Sequence, residues 1–266
     1  ELMSIKQHKD QLGREVVITS SPKRIVSLVP SQTELLHYLG LKDEVIGITK
    51  FCIHPEEWFK SKRRVGGTKK VNHSAIEELK PDLVIANKEE NTLQDIQRLE
   101  ENFPVWISDI HSYNDALNMI EYLGQVTNRE AKAIELTKSL KNAFSKINLP
   151  KSRKKILYVI WNDPIMIAGQ DTFINEMLLK AGFQNAIEDK DSRYPEITPE
   201  DIQELNPDFV FLSSEPFPFS AKHIKSYQYW TKKDNIMLVD GELFSWYGSR
   251  MLLAPTYFQE LIERTK

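Results

Sequence analysis

The sequence predicts an α/β protein of two lobes, each built on a parallel sheet, joined by one long helix. Three observations carry that prediction. Short, nearly continuous apolar runs, Arg24-Ile25-Val26-Ser27-Leu28-Val29 and Leu83-Val84-Ile85-Ala86 among them, have the pattern of strands buried on both faces of a sheet. These runs alternate with helical patterns, as in parallel α/β sheets. Finally, Ile76-Glu77-Glu78-Leu79-Lys80-Pro81-Asp82-Leu83-Val84 recurs as Ile202-Gln203-Glu204-Leu205-Asn206-Pro207-Asp208-Phe209-Val210. Helix-Pro-Asp-strand is a common way into a buried strand, but its appearance once per half, in the same order relative to the other elements, favours two similar lobes. The expected organisation is two Rossmann-like lobes, residues 1–126 and 151–266, with residues 127–150 as a backbone helix between them.

Taken in order, residues 5 to 20 read as an edge hairpin turning around Asp10 to Gly13. The run from Arg24 is the first buried strand. It leads into Pro30-Ser31-Gln32-Thr33-Glu34 and a helix that Gly40 ends. Val45-Ile46-Gly47-Ile48 is the next strand, followed by a loop from Lys50 to Lys70. A helix end at Ile76 to Lys80 precedes the strand from Leu83. A helix over Asn91 to Asn102, a strand at Val105-Trp106-Ile107 and a helix from Tyr113 to Gly124 complete the first half.

The joining helix is predicted over about Asn128 to Asn148. Thr127-Asn128-Arg129-Glu130 has the spacing of a capping box, and Ala133, Leu136, Leu140, Phe144 and Ile147 recur at helical intervals. Pro150 stops it. About twenty residues at ~1.5 Å each would make a rod of roughly 30 Å.

The second half restarts with a strand at Lys155 to Ile160, a loop from Trp161 to Gly169 and a helix from Thr172 ended by Gly182. A helix end at Ile202 to Asn206, strands at Phe209 to Leu212 and Ile236 to Val239, and a closing helix over Leu252 to Arg264 follow.

Bulk properties exclude several classes. A hydrophobic content of 41% with 27% charged residues is that of an ordinary globular chain. The net charge of -3 offers no field for nucleic acid. The single cysteine, Cys52, rules out an internal disulfide and a Cys-rich metal centre. No H-E-x-x-H, G-x-S-x-G, P-loop or G-x-G-x-x-G spacing occurs, so no catalytic residues, resident metal or cofactor are expected.

Candidate binding residues lie at the predicted carboxyl ends of strands, where open α/β sheets bind ligands. They are Phe51, His54, Asn87 and Lys88 in the first half, and Trp161, Tyr194, Glu215, Trp246, Tyr247 and Arg250 in the second. Rigid aromatics mixed with a few polar groups suit a large, partly apolar small molecule. Any one of them could equally cover its own lobe, and it is their number at strand ends that favours a site. Tyr247-Gly248-Ser249-Arg250 is expected to open the closing helix, presenting backbone donors and a guanidinium to an acidic ligand group. The other reading of that segment is a turn with a solvated arginine. His54 near Cys52, with Glu215, is a weaker metal candidate, since a lone loop histidine is more often a hydrogen-bonding residue.

Arg24 through Leu35, followed by Leu79-Lys80-Pro81-Asp82-Leu83-Val84-Ile85-Ala86, resembles the helical-backbone (class III) substrate-binding proteins of ABC transporters, whose members bind cobalamin, iron-siderophores or haem. The resemblance spans about residues 14 to 264 and is nearest the cobalamin-binding and iron-siderophore-binding branch. It implies two lobes on a rigid helix, a bulky ligand clamped between them, and docking to a permease through one surface glutamate per lobe. Glu200 matches the second of these, whereas Ser74 stands at the place of the first and Glu77 or Glu78 would have to substitute. Tyr194 falls where cobalamin binders place a tryptophan and Phe51 where they tend to place a tyrosine. Thr68 and Asn87 replace aromatics, and Trp246 replaces an expected arginine.

The resulting expectation is a monomeric solute-binding component of an ABC importer that captures a corrinoid, ferric chelate or similar bulky molecule without covalent chemistry. It would be periplasmic or membrane-associated if a signal segment preceded residue 1, and cytoplasmic if Met3 is the native start. The alternative is a non-exported corrinoid- or metal-handling protein, or an enzyme, using the same cleft.

Overall fold

The computed structural model describes residues 5–19, 21–188 and 192–266; Glu1, Leu2 and Met3, on which the native start turns, lie outside them. The chain divides into two compact units. The first comprises Glu1–Asp109, Asn114–Leu140 and Tyr247–Arg250, and the second Ile110–Tyr113, Lys141–Trp246 and Met251–Lys266. Among the described residues no helix is long and apolar enough to cross a membrane.

The first unit opens with a hairpin, β1 (Ile5–Lys9) and β2 (Glu15–Thr19), paired antiparallel. Asp10, almost fully buried, builds its turn by accepting from the amides of Leu12 and Arg14, and Gly13 (φ 77°) supplies the left-handed residue that closes it. β3 (Ile25–Ser27), α1 (Pro30–Tyr38), β4 (Val45–Ile48), α2 (Glu56–Ser61), β5 (Arg63–Arg64) and α3 (His73–Leu79) follow. After them come β6 (Leu83–Asn87), α4 (Leu93–Glu100), β7 (Val105–Ser108), α5 (Tyr113–Val126) and α6 (Glu130–Ser145). Strand order is β5-β4-β3-β6-β7, all parallel. Every residue of β6 is buried, as its apolar run predicts for a central parallel strand.

The second unit holds β8 (Lys155–Asn162), β9 (Ile165–Ile167), α7 (Phe173–Lys180), β10 (Gln184–Asn185), β11 (Glu196–Ile197), α8 (Pro199–Leu205) and β12 (Phe209–Ser213). α9 (Ala221–Thr231), β13 (Ile236–Val239), α10 (Glu242–Ser245), a 3₁₀ turn (Ser249–Leu252) and α11 (Ala254–Arg264) finish the chain. β10, β8, β12 and β13 are parallel, while β9 folds back antiparallel on β8 and β11 on β9. The core of each unit lies on its sheet: Val26, Ile76, Val84 and Ile107 in the first, Leu157, Ile202, Val210 and Leu212 in the second.

The repeated Pro-Asp stretch is one device used twice. α3 and α8 both end in a left-handed residue at φ 46°, Lys80 and Asn206. The following aspartate then pins the start of the neighbouring strand. Asp82 accepts from the amides of Lys23 (2.7 Å) and Arg24 (2.8 Å), and Asp208 from that of Lys155 (2.7 Å). Backbone bonds from Asp82 to Arg24 and from Asp208 to Lys155 complete each clamp. Local chain reversal and strand register are thus set by the same two residues.

Several sequence expectations are corrected. The joining helix begins at Glu130, not Asn128, and its 16 residues span about 24 Å at ~1.5 Å each. Thr127 does not cap it, because its hydroxyl donates instead to the Leu123 carbonyl at 2.6 Å, one turn back on α5. Asn128 (φ 55°) turns the chain, and α6 packs antiparallel on α5, where Thr137 donates to Glu121. Gly124 makes that approach possible, since a Cβ there would lie 2.4 Å from the Ala133 Cβ. The expected loop after Ile160 is a hairpin: β8 runs on to Asn162 and Ile165 and Ile167 face the core. The Lys50–Lys70 loop contains α2 and β5, and Tyr247 to Arg250 enter a 3₁₀ turn before α11 begins at Ala254.

Candidate functional site

The loops at the carboxyl ends of the central strands carry most of the predicted residues, and each unit builds its own set. In the first unit, Asn87 closes β6 and is 3% exposed. Its Nδ2 donates to Ser108 Oγ (3.0 Å) and to the Ser108 carbonyl (3.2 Å), while its Oδ1 accepts from the amides of Glu89 (2.8 Å) and Glu90 (3.0 Å). Its backbone amide donates to Asn91 Oδ1. Asn87 therefore holds the 87–91 loop, and its amide group is saturated within the unit. Burial pushes the Glu90 carboxyl in this loop above the usual range, with Lys69 opposing. Lys88 is exposed and pairs with Asp109 at 2.7 Å.

After β4, Phe51 is half-exposed, with the Lys50 ammonium 5.0 Å from its ring centre, and Ile53 beside it is also exposed. Cys52 between them points inward, its sulfur 3.1 Å from the hydroxyls of Thr33 and Thr49. Burial pushes its thiol up, so it stays protonated and apolar in character. Its neighbour His54 is partly buried. Among the described residues no three His, Cys, Asp or Glu side chains converge as a metal site.

The segment Tyr247–Arg250 packs on α1. Gly248 (φ 112°) sits where a Cβ would meet the Leu35 Cβ at 3.3 Å. Arg250 forms a two-pronged pair with Glu34, Nε to Oε2 and Nη2 to Oε1, both at 2.8 Å. The guanidinium anticipated for a ligand's acid thus meets a carboxylate of its own unit. Tyr247 is buried.

In the second unit, Trp161 near the end of β8 is 39% exposed. Its indole donates to the Asp163 carbonyl (3.1 Å) and meets Phe217 edge-on at 5.5 Å. Phe217 in turn packs on Phe219 (4.7 Å) and both on His223, whose Nδ1 accepts from the Ser220 amide. Tyr227 and Trp230 continue this aromatic row. Glu215 fixes another ring: its Oε1 accepts from Trp246 Nε1 at 2.9 Å and from Ser245 Oγ at 2.5 Å. Gly241 is required there, because a Cβ would fall 2.7 Å from Glu215 Cγ and 2.3 Å from Ser213 Oγ. Tyr194 is partly buried, 5.9 Å from the Arg193 guanidinium.

The structure thus joins Glu215 to Trp246 and ties Asn87 and Lys88 to separate internal partners. Phe219 is the ring sequence reasoning passed over, while Phe217 lies in the strand-end segment Ser213 to Phe217 that it marked without counting that ring as a candidate. Their alternation with proline in Pro216-Phe217-Pro218-Phe219, directly after a strand, is the signal that could have found them. Glu200 is exposed in the first turn of α8, two residues past the Thr198 cap. Ser74, also exposed, holds the same place in α3, two past Asn72.

A family described as periplasmic binding protein matches residues 25–237. The chain is 31% identical over 259 residues to the uncharacterized ABC transporter substrate-binding lipoprotein YvrC of Bacillus subtilis, covering 91% of this chain and 81% of that protein. It is 26% identical over 197 residues to a vitamin B12-binding protein of Vibrio vulnificus, covering 72% and 71%. Among solved structures, a possible iron-binding, periplasmic solute-binding protein of Staphylococcus epidermidis superposes with a TM-score of 0.78 at 25% identity, covering 91% of this chain and 99% of that one.

Proposed function

The chain belongs to the periplasmic binding protein family and is the solute-binding component of an ABC importer; from that premise we propose that its ligand is a bulky ring-bearing chelate, a corrinoid or an iron-siderophore complex. Its work is capture and delivery rather than catalysis. The observation that carries the ligand class is the exposed ring on the carboxyl-end loops of each unit taken by itself: Phe51 in the first, and Trp161 on Phe217 in the second. Such faces give large, sequence-tolerant stacking area to a flat macrocycle or chelate. The similarity to a vitamin B12-binding protein and to a possible iron-binding protein supports the same class.

Phe51, Trp161 and Tyr194 supply stacking surface, with His54 and Lys88 as polar contacts, while the buried Trp246 and Tyr247 act through the loop they belong to. Asn87, Glu215 and Arg250 act chiefly by holding the loops that present them. α6 (Glu130–Ser145) carries the chain from the first unit into the second. The protein acts as a monomer outside the cytoplasmic membrane, a location the lipoprotein relative supports, and delivers its ligand to a permease. Glu200 is the docking carboxylate of the second unit, while Ser74 leaves the first without its counterpart, so a neighbour such as Glu77 or Glu78 substitutes.

Calorimetric titration with cyanocobalamin, hemin and ferric hydroxamate and catecholate siderophores tests the reading. Saturable binding in the micromolar range or tighter is expected for one of them, weakened tenfold or more by Trp246→Ala and by Trp161→Ala. Absence of binding across the panel would overturn the ligand class.

A further inference from the structure

The second unit contains a cavity of about 580 Å³ that none of the candidate ligand-binding residues lines. It lies among the first turn of α5, the end of α6 and the end of α7. Its apolar walls are Phe144, Leu149, Leu179 and the ring of Tyr113, which meets Phe144 at 4.9 Å. Lys141, Arg153 and Lys180 stand on its rim. None of the three has a carboxylate partner among the described residues; Arg153 donates only to the Phe183 carbonyl, and Lys180 lies 4.4 Å from the Tyr113 ring centre. The sole carboxylate there among the described residues, Glu176, is turned to the backbone by accepting from the Tyr113 amide.

Three cations against one engaged carboxylate make a rim of net positive charge around an apolar floor. A cavity of this size falls within the range that small organic ligands fill. Among the described residues the buried Tyr113 hydroxyl has no hydrogen-bond partner, an arrangement a native interior rarely leaves unanswered. Burial also pushes its pKa up to about 12, so it remains a donor at neutral pH. Donor, cations and apolar walls call for one kind of occupant: a molecule with a hydrocarbon body and a single negative head.

We propose that this cavity is a second binding site, distinct from the importer's ligand site, for an amphipathic organic monoanion such as a medium-chain carboxylate. The carboxylate meets Lys180, Arg153 and Lys141, and the hydrocarbon lies on Phe144, Leu149 and Leu179. The proposal is independent of the identity of the imported ligand, because no residue is shared with that set.

Calorimetry with decanoate on the full chain tests it, alongside amide chemical-shift mapping. Saturable one-to-one binding is expected, with shifts centred on Leu149 and Leu179. Lys180→Met and Arg153→Gln, both at exposed positions, should each weaken it at least fivefold without changing the circular dichroism spectrum. Decanol, of equal length and no charge, should not saturate the site. Three results would overturn the proposal: no saturable decanoate binding, equal affinity for decanol, or unchanged affinity in both variants. Binding of cobalamin or a ferric chelate should be unaffected by these variants, so failure here and failure of the importer reading are told apart.

Discussion

The pairing of Arg250 with Glu34 gives the sharpest test of how the Tyr247–Arg250 segment works. The perturbation is Arg250→Met, which keeps an unbranched apolar stem while deleting the guanidinium. Two charge-assisted bonds at 2.8 Å join side chains that are 12% and 21% exposed, across 216 residues of sequence. A hydrogen bond to a charged group contributes about 1.5–3 kcal/mol, and breaking a fully buried pair costs roughly 3–5 kcal/mol. Residual exposure of Glu34 reduces that figure, so the single variant should lose about 2–3 kcal/mol. Glu34→Gln keeps one acceptor and should lose about 1–2 kcal/mol. The double variant should reveal a coupling of about 1.5 kcal/mol in a mutant cycle. Urea unfolding followed by tryptophan fluorescence measures all three. A coupling under about 0.5 kcal/mol would refute the structural role. Loss of chelate binding by Arg250→Met with stability intact would instead return the guanidinium to the ligand.

Further outcomes follow from the same geometry. Asp208→Ala and Asp82→Ala should each cost about 1.5–3 kcal/mol in urea unfolding, because each leaves strand-entry amides without their charged acceptor. Gly124→Ala should lose about 1–3 kcal/mol, since its methyl would overlap Ala133 where α5 and α6 meet; an unchanged midpoint would contradict that packing. Thr198→Ala should cost about 1 kcal/mol by removing the cap of α8. The Thr198 backbone and side-chain hydrogen bonds hold the Asp201 carboxyl below the ordinary value of 3.8. Its contribution is therefore fully present above that pH and is lost as pH falls through the lowered folded-state value, which a carbon-detected titration of Asp201 would follow.

Much of the architecture was legible because its cause is local. Val26, Val84 and Val210 lie in short apolar runs, and such runs have few alternatives to a doubly covered parallel strand. The Pro-Asp repeat could be read as two similar units because the left-handed turn and the strand clamp both reside within a few residues of the motif. Tertiary structure decided what depends on distant partners. The Thr127 hydroxyl could accept from an amide at the start of α6 or donate to a carbonyl at the end of α5, and in the folded chain, where α6 packs against Gly124, it donates to Leu123. Trp161 reads as loop by sequence, yet β9 recruits that stretch into a hairpin through Ile165 and Ile167. Asn87 and Arg250 carry the right chemistry for a ligand, but Ser108 and Glu34, brought from 21 and 216 residues away, occupy them. Residue type determined what each group could bind; only the folded chain determined which partner reached it first, because desolvated polar groups take the nearest complementary atom the core allows.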